Sequence, residues 1–251
     1  MPGWLVAGSW GLVAGSALLG GAAVGYLVRI PQKLIASIMA FGAGVLLSAV
    51  SFELVAEAYE RAGLMPTTIG AVTGALVYTG CNMLLARRGA RHRKRSGDQQ
   101  PSEGDQGGSG TALALGALLD GVPESIVIGT SLLGGGAVSA VTVAAVFISN
   151  VPEGLASAAG MRRAGRSRAY VFGLWGGIAA VSGLAAVAGY LLLGGATPAV
   201  LAFITALAAG AILTMVADTM IPEAFERTHL AMGLILLLGF LCAFALSTSG
   251  G

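Results

Sequence analysis

Residues 111–133 read TALALGALLDGVPESIVIGTSLL, an apolar run with only two charged side chains, Asp120 and Glu124. A bilayer crossing needs about 20 predominantly apolar residues, so this run predicts a transmembrane helix. The rest of the chain has the same character, because 55% of its 251 residues are hydrophobic and 10% are charged, against roughly 25% charged in soluble domains. This composition excludes most soluble folds. With a formal net charge of only +2, we expect no nucleic-acid partner.

Apolar runs of this kind recur along the whole chain. They fall at about 4–28, 34–58, 66–86, 111–133, 138–161, 169–193, 199–222 and 230–247. We therefore predict an all-α integral membrane protein, in which residues 1–251 form one transmembrane domain of eight helices embedded in a lipid bilayer.

The basic residues predict the orientation of these helices. With eight crossings, all of the 14 lysines and arginines except Arg61 fall on one side, which the positive-inside tendency identifies as the cytoplasmic side. Both termini are then expected outside, and the small, Gly/Ala-rich chain favours a bacterial plasma membrane. The one sizeable polar stretch, 87–110, runs from a basic cluster into Gly- and Ser-rich sequence, a composition that cannot bury a core. We expect a flexible cytoplasmic loop there.

Two segments of the chain resemble each other. Aligned without gaps, 41–60 and 207–226 are identical at seven of twenty positions, among them Glu57 with Glu223. In the predicted topology the two helices run in opposite directions, which predicts an inverted repeat of helices 1–3 and 6–8 around the central helices 4 and 5. Such repeats are typical of alternating-access transporters with a site near the midplane of the bilayer.

Seven acidic residues lie inside the predicted helices, and no Lys, Arg or His lies in the helices with them. They are Glu53, Glu57, Asp120, Glu124, Glu153, Asp218 and Glu223. An ionised side chain costs at least about 2.5 kcal/mol at the centre of a membrane helix, and a buried carboxylate needs a counter-charge or a proton. These acids therefore indicate water, protons or an external cation, with a packing role beside a wet crevice as the alternative.

The spacing of the central acids predicts a site. Asp120 and Glu124 share one face of helix 4, while Asn150 and Glu153 share one face of helix 5 at the same depth. Each of these glutamates directly follows a proline, as Glu223 does in helix 7. A proline inside a helix frees a carbonyl oxygen, which a membrane tolerates where it lines a cavity. Carboxylate, amide, hydroxyl and carbonyl oxygens together suit a hard divalent cation.

The motifs Asp120-Gly121-Val122-Pro123-Glu124-Ser125 and Ser149-Asn150-Val151-Pro152-Glu153-Gly154 resemble helices 4 and 5 of the Zrt-, Irt-like protein (ZIP) family of divalent-metal transporters. The eight predicted helices, the loop after helix 3 and the Pro-Glu-Ala near the end of helix 7 are similar too, so the resemblance covers essentially the whole chain. It implies a transition-metal site halfway across the membrane, with Glu124, Asn150 and Glu153 as ligands. Uptake toward the cytoplasm is the direction that the resemblance implies.

This sequence departs from the family pattern at several positions. Asp120 stands where the family usually has histidine, Gly121 where it has asparagine, and Ser149 where it has another ligand. Helix 6 has no acid where small bacterial members carry one, and the two histidines lie in predicted loops. The remaining all-oxygen site shifts the expectation toward manganese or iron(II), although zinc also accepts carboxylates.

We therefore predict a transporter, neither an enzyme nor a holder of a resident cofactor, that moves a divalent cation toward the cytoplasm by alternating access. Its cargo would be zinc, manganese or iron(II), with cadmium as a further candidate, and the sequence is compatible with a homodimer. The predicted metal ligands are Asp120, Glu124, Ser149, Asn150 and Glu153. Glu53 and Glu57 are predicted at the outer mouth, and Asp218 and Glu223 at the inner mouth. The alternative is a carrier with a decayed metal site that moves protons or another solute.

Overall fold

A computed structural model describes residues 1–100, 102, 105, 109–133 and 140–249 of the chain. These residues form helices and connecting turns, and no strand occurs among them, so the predicted all-α class is confirmed. The long helices are α1 (Gly3–Leu27), α2 (Gln32–Ala62), α3 (Leu64–Ala86), α4 (Ser109–Thr130), α5 (Ala140–Arg163), α6 (Arg168–Leu193), α7 (198–228) and α8 (Met232–Ser249).

The helices have the length and composition of membrane spans. In the part of the chain that the structure describes, seven helical stretches are long and apolar enough to cross a membrane, which is characteristic of a multi-pass membrane protein. The last stretch, Pro198–Thr248, comprises 51 residues and would be roughly 75 Å long as one straight helix. It is interrupted after Thr228, because His229 has a positive φ of 46° that a continuing helix cannot contain.

Glycines allow the closest contacts in the bundle. α2 packs against α8, α3 against α7, α1 against α5 and α6, and α4 against α6. At Gly74 of α3, a Cβ atom would lie 1.9 Å from the carbonyl oxygen of Leu207 in α7. A side chain does not fit at that distance, so the absence of one is what lets the two backbones meet.

Two of the helices contain a π-helical turn. It spans Val50–Val55 in α2 and Val216–Met220 in α7. Each lies inside one of the two segments that resemble each other in sequence, and π-helical turns in α-helices are frequent at functional sites. Glu53 lies in the first turn and Asp218 in the second.

The stretch that follows α3 does not stay outside the bundle. In residues 90–100, which we call the strap, Arg93, Lys94, Ser96 and Gln100 are all buried. The expectation that the flexible loop over 87–110 stays outside the buried part of the protein is therefore wrong for the strap. It was based on the lack of apolar side chains, but the strap is buried through ion pairs and hydrogen bonds with the helices. Of the rest of this stretch, residues 101, 103, 104 and 106–108 lie outside the described residues.

Candidate cation site

The central acids of α4 and α5 come together inside the bundle. Asp120 and Glu153 are each 4% exposed, and Glu124 is 2% exposed. Asp120, Asn150 and Glu153 line a common cavity of about 10 Å³, which is about the minimum for one water molecule. Three of the five predicted ligands therefore lie around one cavity, whereas Glu124 and Ser149 are not among its lining residues. The cavity is nearly filled, and two of the side chains that fill it are Arg93 and Lys94 from the strap.

Asp120 accepts hydrogen bonds from two side chains, those of Arg93 and Tyr78. Arg93 donates from Nε to Oδ2 at 3.0 Å and from Nη2 to Oδ1 at 2.9 Å, and the Tyr78 hydroxyl donates to Oδ1 at 2.7 Å. The guanidinium is oriented in turn by Asn82, whose Oδ1 accepts from Nη1 at 2.7 Å. Burial disfavours its charged form, but the pairing with Asp120 outweighs burial and raises the pKa of Arg93. Arg93 is thus a charged counter-ion that binds Asp120 at two points in this conformation.

Lys94 joins the two central helices. Its Nζ lies 2.8 Å from Oε2 of Glu153 on α5 and 3.4 Å from Oδ2 of Asp120 on α4. Only 6% of the lysine side chain is exposed. A buried ammonium is stable only where carboxylates surround it. The negative potential of Asp120 and Glu153 therefore favours a cation at this position, and the Lys94 ammonium already occupies it.

Two carboxylate oxygens of the cluster lack a donor. Oε1 of Glu124 and Oε1 of Glu153 are buried, and neither has a hydrogen-bond partner among the residues that the structure describes. Buried carboxylate oxygens normally accept hydrogen bonds, so an unpaired oxygen on each of two neighbouring carboxylates marks where a further cation or donor could bind.

The remaining predicted ligands are tied to their surroundings in different ways. Asn150 donates from Nδ2 to the carbonyl oxygen of Ala14 at 3.0 Å, which fixes its amide against α1. Ser149 donates to the carbonyl oxygen of Val146 at 2.9 Å in its own helix. Asn150 lines the cavity with Asp120 and Glu153, whereas Ser149 is not among the lining residues.

The four acids predicted along the pathway have different environments. Glu53 accepts a hydrogen bond from the Ser247 hydroxyl, and Glu57 pairs with Arg61 one turn later in α2. Asp218 is exposed and lies outside the central cluster. Glu223, by contrast, is 3% exposed and belongs to a second contact between the strap and the helices.

This second contact joins the strap to α7. Oε1 of Glu223 accepts from the backbone N–H of Ser96 at 2.9 Å and from its hydroxyl at 2.6 Å. Arg95 Nη1 lies 3.4 Å from Oε2 of Glu223 and also pairs with Glu226. On the same strap, burial and the neighbouring Arg95 lower the pKa of His92. This lowering disfavours a positive charge on the imidazole.

The expectation that the acids inside the helices have no basic partner is wrong for Glu57, whose partner is Arg61. It is also wrong for Asp120, Glu153 and Glu223. Their partners are the consecutive residues Arg93, Lys94 and Arg95, so three adjacent cations pair with acids on three different helices. Sequence reasoning assigned these cations to a solvated loop because positive charges collect on the cytoplasmic side. The sequence held one indication of these ion pairs. Three adjacent basic residues follow α3, and the acids inside the helices have no basic residue in the helices with them.

Metal-ligating residues do not form a larger group in this conformation. Over the described ranges, no three His, Cys, Asp or Glu side chains are arranged so that they could hold a metal ion. Arg93 and Lys94 account for this in part, because they occupy both oxygens of Asp120 and one oxygen of Glu153. Among the described residues, one oxygen of Glu124 and one oxygen of Glu153 stay without a partner.

No protein-family model matches this sequence, and no curated protein matches it. The likeness to the ZIP family therefore rests on the motifs of α4, α5 and α7 and on the order of the helices.

Proposed function

We propose that this protein is a transporter of divalent metal cations that moves zinc, manganese or iron(II) toward the cytoplasm, as the ZIP resemblance implies. The observation that carries the proposal is the pair of buried glutamates on the two central helices. Glu124 and Glu153 each follow a proline, and each has a buried oxygen without a partner in the part of the chain that the structure describes. The nearby Lys94 ammonium supports this reading, because it shows that the site stabilises a positive charge.

The proposed ligands are Glu124, Asn150 and Glu153, with Asp120 and Ser149 of the same motifs near them. All of their donor atoms are oxygens, which favours manganese or iron(II), while zinc and cadmium stay candidates because they accept carboxylates. The metal ion is cargo and not a resident cofactor, so a site of moderate affinity fits the proposal better than a tight cage does.

The proposal includes eight crossings with both termini outside. The interruption of Pro198–Thr248 after Thr228 supports counting α7 and α8 separately, because a hydrocarbon core of about 30 Å fits one 20-residue helix at a time. The basic residues then collect on the cytoplasmic side of a bacterial plasma membrane. In this topology, Glu53 and Glu57 lie toward the outer mouth, and Asp218 and Glu223 lie toward the inner mouth.

An inverted repeat is also part of the proposal, and contacts between the helices support it. A Cβ atom at Gly44 of α2 would lie 1.9 Å from the carbonyl oxygen of Leu236 in α8, and one at the aligned Gly210 of α7 would lie 2.0 Å from that of Ala71 in α3. The contact of α2 with α8 is thus repeated by α7 with α3. The two π-helical turns also begin at aligned positions, Val50 and Val216.

These paired contacts support alternating access. Two copies of one structural unit in opposite orientations can exchange conformations, which exposes a midplane site first to one side and then to the other. In this proposal the α4–α5 cluster is the midplane site between the two copies. We propose that cations enter past Glu53 and Glu57 and leave past Glu223 and Asp218.

A second candidate is a carrier on the same scaffold that moves protons or another solute. The observation that favours it is the neutralisation of Asp120 by Arg93 and of Glu153 by Lys94. If these ion pairs are permanent, too few carboxylate oxygens remain for a divalent cation, and a protonatable Glu124 would be the functional group.

Transport into liposomes separates the two candidates. We expect purified protein to accumulate Mn²⁺, Fe²⁺ or Zn²⁺, tested one at a time, and we expect Glu153→Gln and Glu124→Gln to lower the initial rate at least tenfold. Asp105→Asn, which changes an exposed loop carboxylate, is the matched control and should transport normally. Wild-type rates in Glu153→Gln would overturn the metal site. Proton flux without any metal flux would favour the second candidate.

A further inference from the structure

We propose that Lys94 is a tethered counter-cation: its ammonium occupies the position between α4 and α5 that a transported cation must take, and the strap must withdraw before the cation binds. The proposal rests on the proposed function and goes beyond it, because it names the strap as the element that opens and closes the site. The alternative is a purely structural ion pair that permanently holds α4 and α5 together.

The position of the ammonium is the first argument. Lys94 Nζ contacts one carboxylate from each central helix, and the cavity it lines has room for about one water molecule. A divalent cation at Glu153 would therefore lie within contact distance of the ammonium. Two positive charges cannot share such a buried site without strong repulsion, so occupancy by Lys94 and occupancy by a metal ion exclude each other.

Polar contacts hold the strap in place on both sides of Lys94, and this is the second observation that supports the proposal. On one side of Lys94, Gln100 donates from Nε2 to the carbonyl oxygens of Arg93, Arg95 and Ser157 at 2.9–3.1 Å. On the other side of the bundle, Ser96 donates twice to Glu223. These contacts are polar, so water can replace them when the strap leaves, whereas an apolar core contact would have no such substitute.

Gly160 of α5 is the third argument. A Cβ atom there would lie 2.1 Å from the carbonyl oxygen of Arg95 and 2.3 Å from Nε2 of Gln100. The strap can lie against α5 only because this residue has no side chain. Gly160→Ala would therefore push the strap outward without changing any charge, which separates the effect of the strap from the effect of the Lys94 charge.

The inner pathway is blocked by the same segment. Glu223, which the proposed topology assigns to the inner mouth, is covered by Ser96 and Arg95. One withdrawal of the strap would thus uncover Glu153 and Glu223 together. A segment whose only role was to link α4 to α5 would not need to cover an acid on α7.

The test is Mn²⁺ binding to the full-length protein in nanodiscs, measured by calorimetry together with hydrogen exchange over residues 90–100. We expect Lys94→Gln and Gly160→Ala each to lower the Kd for Mn²⁺ at least tenfold. The controls are Arg91→Gln, an exposed charge on the strap, and Gly173→Ala, where a Cβ meets no atom within 4 Å. Both controls should keep the wild-type Kd. Saturating Mn²⁺ should also speed exchange at the Ser96 amide of the wild-type protein.

Three results would count against the proposal in distinguishable ways. If the wild-type protein binds Mn²⁺ and both Lys94→Gln and Gly160→Ala keep its Kd, the counter-cation role is wrong while the metal site stands. If Mn²⁺ binds without speeding exchange over the strap, withdrawal is wrong. If neither the wild-type protein nor any variant binds Mn²⁺, Zn²⁺ or Fe²⁺, the proposed function fails and this inference fails with it.

Discussion

At the scale of single residues, the site contains nearly equal numbers of buried positive and negative side chains. Arg93 and Lys94 supply two positive charges, and Asp120 and Glu153 accept them. A buried ion pair adds little net stability, but removing one partner leaves a charge without compensation. The individual ion pairs should therefore differ in what they do, and mutation of each partner can separate structural from functional roles.

Arg93 should be the structural partner. Arg93→Gln removes the two-point contact with Asp120, which is 4% exposed, and should lower the free energy of unfolding by about 3–5 kcal/mol. Chemical unfolding in detergent, followed by circular dichroism, measures this change. Arg88→Gln, which changes an exposed arginine next to the strap, should leave the stability within about 0.5 kcal/mol of wild type.

The double substitution Arg93→Gln with Asp120→Asn provides a further check on the same pair. Because it removes both charges together, it should recover part of the stability that Arg93→Gln loses. A loss in the double variant equal to the sum of the two single losses would contradict the pairing.

The acids of the site could be predicted from the sequence, and their partners could not. Asp120, Glu124 and Glu153 stand out because carboxylates are rare inside apolar helices. Arg93 is 27 residues from Asp120, and the contact depends on the strap turning back into the bundle. Neither periodicity nor composition encodes that turn, because the strap is buried by charge pairing and not by apolar side chains.

At the scale of the helices, the apolar runs predict where the helices lie, but not how closely they pack. The contact between α3 and α7 depends on Gly74, where an added methyl group would meet the carbonyl oxygen of Leu207. A backbone atom cannot move aside as a flexible side chain can, so α3 would have to shift as a whole.

Gly74→Ala should therefore destabilise the protein. We expect a loss of about 1–3 kcal/mol, the usual cost of forcing an extra group into a packed core. Gly80→Ala on the same helix is the matched control, since a Cβ there meets no atom within 4 Å. The control should be neutral or stabilising, because alanine favours a helix by about 1 kcal/mol over glycine. Equal stabilities of the two variants in detergent unfolding would contradict the close contact.

The π-helical turns are a feature of the helices that could not be predicted from the sequence. The alignment of 41–60 with 207–226 predicted that α2 and α7 are related, but nothing in either segment indicated that Val50 and Val216 would begin a wider turn. Such turns depend on the fit between neighbouring helices. The break at His229 was easier to predict, because the polar residues around it separate two apolar runs.

At the scale of the whole molecule, the account depends on an even number of crossings. The described helices include seven stretches that could span a membrane, with α7 and α8 inside one of them. Seven crossings would put the termini on opposite sides, whereas eight put them on the same side. The proposed repeat of α1–α3 by α6–α8 requires α8 to be a separate, eighth crossing, so this count bears directly on alternating access.

Thiol labelling in intact cells counts the crossings. In a background with Cys81→Ser and Cys242→Ser, we expect Pro2→Cys and Ser249→Cys to react with a membrane-impermeant maleimide from outside. Arg166→Cys, in the turn between α5 and α6, should react only after the cells are opened. Labelling of the two terminal cysteines from opposite sides would contradict the eight-crossing topology.

The central claim is that the α4–α5 cluster binds a divalent cation. The most direct test is anomalous diffraction from crystals of the full-length protein grown with Mn²⁺. We predict one strong anomalous peak within bonding distance of Glu124, Asn150 and Glu153, with the Lys94 ammonium displaced from its position beside Glu153. Density that leaves Lys94 in place and puts Mn²⁺ elsewhere, or nowhere, would contradict the account.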